Sequence, residues 1–213
     1  MDKLLSRTPI REQIYNIIKK NIIELKYQPG ERLSIMALSR ELNVSNSPVR
    51  EAISMLERDG LVEVYPNAGP SVITFSNTRL GHIAQAILSM LLGSFEICLQ
   101  NRQTDTLIEH LQKALKEQMN HMNCESQPEY AKYSIAFEAA FTECCQNPYI
   151  TKQYTEIEGL FYLTVLYDQW YIDTNRMKAV VEHQQILGAI MNGEYETAKD
   201  LLSKHYNRFQ NKE

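Results

Sequence analysis

Up to Gly60 the apolar positions recur at helical spacing and are interrupted at short intervals by turn residues. Ile10, Ile14, Ile17, Ile18 and Leu25 mark one face of a first helix. Thr8-Pro9 predicts its start, a capping hydroxyl followed by proline at the first helical position, and Pro29-Gly30 predicts its end. Ser34 suits the cap of a short second helix whose Ile35, Leu38 and Leu42 point one way. Asn43-Val44 makes a tight turn, Ser45 is the expected cap of a third helix, and Pro48 is tolerated in its first turn. That helix should run to about Asp59, with Gly60 as a left-handed C-terminal cap. Its inward stripe is Val49, Ala52, Ile53 and Leu56; Ser47, Arg50 and Ser54 share the opposite face, with Asn46 at the tip. Leu61 to Tyr65 and Ser71 to Phe75 read as short strands around the turn Pro66 to Pro70.

From Thr78 onward the pattern is helical. Ile83, Ile87, Met90, Leu91 and Phe95 mark a long helix, followed by Thr106 to Met122, Glu129 to Cys145, Pro148 to Tyr167, Asn175 to Met191 and Tyr195 to Phe209. The predicted fold is mainly α: a winged helix-turn-helix, three helices plus a β-hairpin wing, over residues 1–76, then an all-α bundle of six or seven helices over 77–213. Ser76-Asn77-Thr78 is the expected junction. In a winged helix the third helix enters the major groove with its N-terminal residues nearest the base edges.

Composition adds a bias between the halves. Residues 1–76 hold 10 basic and 9 acidic side chains, and residues 77–213 hold 12 and 17. A near-neutral first half beside an acidic second one fits a nucleic-acid domain with few, well-placed phosphate contacts. Met1 to Arg7 is polar and resembles no signal peptide, and the most apolar window, Ile83 to Phe95, is expected to be too short and interrupted to span a bilayer. The expectation is a cytoplasmic protein with no membrane partner. Cys98, Cys124, Cys144 and Cys145 lack framework spacing and are expected reduced; a redox role for Cys124 near His121 lacks any obvious group that would lower a thiol pKa.

The most specific runs are Pro29-Gly30-Glu31-Arg32-Leu33, Leu38-Ser39-Arg40-Glu41-Leu42-Asn43-Val44-Ser45, Pro48-Val49-Arg50-Glu51-Ala52-Ile53 and Leu56-Glu57-Arg58-Asp59-Gly60-Leu61-Val62. Together with the wing glycine Gly69 they resemble the DNA-binding domain of the GntR family of transcriptional regulators. The resemblance implies a double-stranded DNA operator contacted by Arg32, Ser45, Asn46, Ser47 and Arg50, with Asn67 and Gly69 on the wing. Asn46 departs from the arginine usual in the family after the capping residue, and asparagine pairs with adenine where arginine prefers guanine. Arg32, Arg40 and Arg58 fit either phosphate contacts or ordinary exposed helix charges. Arg50, in the bland reading, pairs with a neighbouring acid.

Candidate chemistry in the second half comes from a matched pair of histidines. Asn192-Gly193 is a turn, so His183 and His205 on the flanking antiparallel helices both lie about 15–18 Å from the bend. Ser134 and Glu138 are four residues apart and share one helical face. Such a cluster suits a divalent metal or a small acid. Phe137-Glu138, Asn147-Pro148 and the run Glu182 to Ile190 through Gly193, Ala198 and His205 resemble the FCD ligand-sensing domain that accompanies one GntR subfamily. In its metal-binding members, an Asp and a His four apart join two later histidines; here Ser134 and Glu138 stand in the first two places. Three readings stay open: zinc, manganese or nickel held by Glu138, His183 and His205, a metal-free effector pocket, or structural histidines. Phe161, Tyr162, Tyr167, Trp170 and Tyr171 suit core or dimer interface better than a pocket wall. The functional expectation is a homodimeric regulator, not an enzyme, that binds a two-fold operator under control of a small effector such as an organic acid. The rivals are a metal-dependent enzyme fused to a winged helix and a protein-binding winged helix.

Overall fold

A computed structural model of the chain describes residues 8–171 and 176–207, with the side chains of 168–171 excepted. The chain divides into two compact units, Met1–Thr74 and Phe75–Glu213.

In the first unit, α1 (Ile10–Ile23), α2 (Ile35–Glu41) and α3 (Asn46–Arg58) precede a two-stranded antiparallel hairpin, β1 (Val62–Tyr65) and β2 (Gly69–Val72). The buried stripe of α1 is Ile14, Ile18 and Ile22, four residues apart, whereas Ile10 and Ile17 remain 57% and 43% exposed. The expected stripe was therefore displaced by part of a turn. Pro9 occupies the N-cap position itself and no side chain caps α1, contrary to the predicted Thr8 cap. Leu25, at φ 55°, turns the chain beyond the C-cap Glu24, before Pro29-Gly30 is reached.

The stripe of α3 is as the spacing predicts: Val49, Ala52 and Leu56 are fully buried and Ile53 nearly so. Val49, Ile53 and Leu56 each contribute about 1.5–3 kcal/mol on burial, which anchors a helix whose other face is polar. Gly60 adopts φ 72° after the C-cap Asp59. The hairpin is tighter than expected, because Gly69 and Pro70 belong to β2 and pair with Tyr65 and Val64, leaving Pro66, Asn67 and Ala68 at the tip. Pro70 has no N–H, but its carbonyl accepts from Leu33, and Arg32 bridges Ser71, so the segment before α2 joins the sheet.

The second unit comprises α4 (Asn77–Gln100), α5 (Thr104–Asn120), α6 (Gln127–Cys144), α7 (Pro148–Tyr171), α8 (Arg176–Met191) and α9 (Tyr195–Asn207). The expected helix ends at Asn175 and Phe209 lie outside the described residues. With the three helices and hairpin of the first unit ahead of them, these six helices complete the predicted fold, a winged helix-turn-helix followed by an all-α bundle. Contrary to the expectation for the apolar stretch, α4 is 24 residues long with a window of mean hydropathy 1.5, long and apolar enough by those measures to cross a membrane. Its Leu80, Ile83, Ile87, Leu91, Phe95 and Cys98 instead line the core against α6, α7 and α9. α6 packs against α4, α5 and α7 and is buried around much of its circumference. Polar groups in such a helix, here Ser134 and Glu138, must find partners inside.

Candidate functional site

On α3 the residues Ser45, Asn46, Ser47 and Arg50 are all exposed. Glu51, the acid beside Arg50, pairs instead with Arg11 of α1 at 3.2 Å, and Arg50 has no side-chain partner among the described residues. The bland reading of Arg50 therefore fails. Arg32 and Asn67 are also exposed; Asn67 (φ 66°) and Gly69 (φ 76°) shape the wing tip by left-handed backbone. Arg58 stands 3.8 Å from Asp59, whose other oxygen accepts a short hydrogen bond from Tyr15 of α1.

Ser45 occupies the N-cap position of α3 but its hydroxyl makes no cap hydrogen bond. The predicted cap is corrected by the chain itself. Ser34, Ser76 and Ser126 each accept from the backbone N–H three residues on, in Ala37, Arg79 and Glu129. Three residues after Ser45 comes Pro48, which has no N–H to donate. The Ser45 hydroxyl is left facing solvent.

In the helical unit, Glu138 of α6, His183 of α8 and His205 of α9 converge, with one ligand atom from each lying within 4.8 Å of the others. All three are at least 97% buried. His183 Nε2 is 3.3 Å and His205 Nε2 3.7 Å from Glu138 Oε1. Proton accounting fixes what these atoms offer. Tyr130 donates its hydroxyl proton to the Arg176 carbonyl, so its oxygen accepts from Gln118 Nε2. The Gln118 Oε1 left over accepts from His183 Nδ1 at 2.8 Å. Glu182 Oε2 likewise takes His205 Nδ1 at 2.7 Å. In the neutral imidazoles both Nε2 atoms are then lone pairs aimed at a carboxylate. Glu138 Oε2 and His183 Nε2 have no hydrogen-bond partner.

Three converging lone pairs in a buried site require positive charge, either protons or a cation. Burial pushes the Glu138 carboxyl up, and the attraction and hydrogen bond of the adjacent His183, then the attraction of His205, more than reverse this when the rings carry protons, holding it below the ordinary carboxylate range. A divalent metal fits the same atoms: ligands bound to one ion at about 2.0–2.2 Å lie roughly 3.0–3.6 Å apart, close to the two spacings from Glu138 to the histidines. Ser134 is not among the converging groups, because its hydroxyl accepts from Gln118 Nε2 at 3.3 Å. His183 is also stacked on Phe137, with ring centroids 4.2 Å apart.

Two participants escaped sequence reasoning, Gln118 and Glu182. Gln118 carried a signal, since it continues the apolar stripe Leu107, Leu111, Ala114 and Leu115 of α5 and is wholly buried. Around Cys124 the structure also differs from expectation. His121 stacks on Tyr133 at 3.6 Å, while Arg176 stands 3.8 Å from the thiol and binds the carbonyls of Met122 and Cys124. Phe161 and Tyr162 are core, the latter donating to the Pro128 carbonyl, and Tyr167 packs on Phe75. The side chains of Trp170 and Tyr171 lie outside the described residues.

Comparison with known proteins bears on both units. The chain matches the family described as bacterial regulatory proteins, gntR family, over residues 6–72, and the FCD domain over residues 96–208. It is 25% identical over 207 residues to the HTH-type transcriptional regulator YdhC of Bacillus subtilis, covering 96% of this chain and 91% of YdhC. Over 82 residues, 37% of this chain and 36% of the relative, it is 39% identical to the HTH-type transcriptional repressor RspR of Escherichia coli. A GntR regulator from Rhodococcus sp. RHA1 shares the fold at a TM-score of 0.73 and 18% identity, covering 95% of this chain and 96% of that one. With the FCD match alone spanning more than half its length, the chain belongs to the GntR family of bacterial transcriptional regulators, as a helix-turn-helix regulator carrying an FCD ligand-binding domain.

Proposed function

We propose that this regulator is a repressor that binds a two-fold operator as a homodimer and senses a small organic acid through a divalent metal. The observation that carries the reading is the contrast between its polar groups: Ser45, Asn46, Ser47 and Arg50 are exposed and have no side-chain partner among the described residues, while Glu138, His183 and His205 turn lone pairs toward one buried point. On the first face, Arg50 and Asn46 read base edges, and Ser45, Ser47 and Arg32 hold phosphates, with Asn67 and Gly69 carrying the wing to the adjacent backbone. One such unit reads few base pairs, so a dimer on a palindromic site supplies the specificity. The repressor assignment draws on RspR, the relative named as a repressor. Acting on the chromosome places the protein in the cytoplasm.

In the helical unit, Glu138 and the Nε2 atoms of His183 and His205 would hold zinc, manganese or nickel. Bound there, the ion would supply a positive charge suited to an anionic effector. Ser134 cannot serve as a fourth strong ligand, since its hydroxyl is neutral and engaged by Gln118. Three protein ligands leave coordination positions for a carboxylate, which is why an organic acid suits the site. Binding to one helix arrangement with a preference of about 1–3 kcal/mol would shift operator affinity about five- to 150-fold. Elemental analysis of purified protein, after metal is offered at neutral pH, should return up to one equivalent per chain. A protein with no metal under those conditions refutes the metal-dependent reading, and one that gives no salt-dependent shift of duplex DNA refutes DNA binding.

A further inference from the structure

The buried site has a second carboxylate that does not face its centre. Glu182 precedes His183 on α8, so its side chain leaves the helix about 100° away from that histidine. It reaches instead to the far side of His205, where Oε2 lies 2.7 Å from Nδ1. Its Oε1 is 3.9 Å from Lys178, and the side chain keeps 23% of its exposure. Gln118 performs the matching contact for His183, at 2.8 Å, from a neutral amide. The two histidines are thus held by their outer nitrogens in unlike ways, one by a charge and one without.

We propose that Glu182 is the positioning residue of this site: it fixes His205 with its proton on Nδ1 and its Nε2 turned to Glu138, and it supplies the second negative charge that matches the site to a dication. The inference rests on the reading of Glu138, His183 and His205 as metal ligands. Beside two neutral imidazoles and a neutral amide, the carboxylates of Glu138 and Glu182 bring two negative charges, offset at the solvent edge by Lys178, 3.9 Å from the outer oxygen of Glu182, so the site would stay net negative until a cation enters surroundings where net charge is costly. A hydrogen bond from Nδ1–H to a carboxylate also makes the opposite nitrogen more basic and stops the ring from turning away. Glu182 keeps one edge in solvent, whereas Glu138 is wholly enclosed. The division of labour is physical: the ligand carboxylate is dry, and the supporting one is wet at one edge.

The test uses the full chain, with zinc affinity measured at neutral pH by competition with a chromophoric chelator. Glu182→Ala removes both the acceptor and the charge and should weaken zinc binding about 10–100-fold. Glu182→Gln keeps an oxygen for Nδ1–H but not the charge, and its affinity should fall between those of the alanine variant and the unaltered protein. The metal-free alanine variant should melt lower, because the buried His205 Nδ1–H loses its acceptor, and the rise on adding zinc should shrink in the order of affinities. Equal zinc affinity in all three proteins overturns the role of Glu182 and leaves the ligand set standing. A glutamine variant equal to the unaltered protein, with a weak alanine variant, overturns the charge match. Absence of zinc binding in the unaltered protein overturns the ligand set, and the role of Glu182 with it.

Discussion

The two units of this regulator place their polar chemistry in opposite ways. In the winged unit the side chains proposed to read DNA stand in water on one face of a helix, without side-chain partners among the described residues. In the helical unit the working atoms are dry, each outer nitrogen is spoken for, and what remains points inward. The difference follows from what each must meet. A duplex is large and arrives from outside, so its contacts must be free beforehand, and their cost is mainly side-chain entropy. A small ion or acid is enveloped, so its contacts must be arranged in advance by a rigid interior.

The largest expected effect tests how closed that interior is. Burial raises the Cys98 thiol to about 12 and the Cys144 thiol to about 11, against an intermediate exposure for Cys124. In the native protein at pH 8, a thiol-specific reagent should therefore modify Cys124 first, with Cys98 at least about 1,000-fold slower, as read by peptide mass spectrometry. Because the folded values are raised, these thiols contribute stability below their unfolded pKa. That contribution is lost as the pH climbs from about 9 towards 11 and 12. Denaturant midpoints measured across that range should fall. Rapid labelling of Cys98 would show the bundle to be open.

Next comes the ligand set. Glu138→Ala should abolish stoichiometric metal retention, a loss of 100-fold or more in affinity by order of magnitude, while operator binding by the metal-free protein persists. An undiminished metal content in that variant would remove Glu138 from the site. Arg50→Ala should be the mirror image: about 1–3 kcal/mol lost from operator affinity, with folding stability within about 0.5 kcal/mol and metal content unaltered. Unchanged affinity for the operator would take Arg50 out of the reading set. The smallest effect belongs to Ser45→Ala. With no cap bond to lose, stability should hardly move, and operator affinity should drop only a few-fold, uniformly across operator sequences. A loss of 1 kcal/mol or more in stability would mean that the hydroxyl does cap α3.

The same contrast explains what could be read from sequence. The α3 face is contiguous, so Val49, Ala52, Ile53 and Leu56 on one side and Ser47 and Arg50 on the other follow from a single helical period. His183 and His205 were also legible, because a short hairpin converts sequence distance into height. Their supports were not. Gln118 lies on α5, 65 residues from the histidine it holds, and a polar residue on an apolar stripe is visible only when the stripe is followed to its end. Nothing in the sequence separates Glu182 from a surface acid of α8, since Lys178 stands four residues earlier and pairs with it. The hairpin was misjudged because Gly69 and Pro70 usually break strands, yet edge pairing asks of Pro70 only its carbonyl.

The proline after Ser45 has a further consequence, for evolution as much as for mechanism. Replacing Pro48 with alanine would restore an N–H that the neighbouring hydroxyl could capture, and a gained cap is worth roughly 0.5–2 kcal/mol. The chain would become more heat-resistant and a poorer partner for its operator at once, a trade that a paired measurement of melting temperature and operator affinity would expose. If that measurement shows both changes, Pro48 is a place where binding competes with stability.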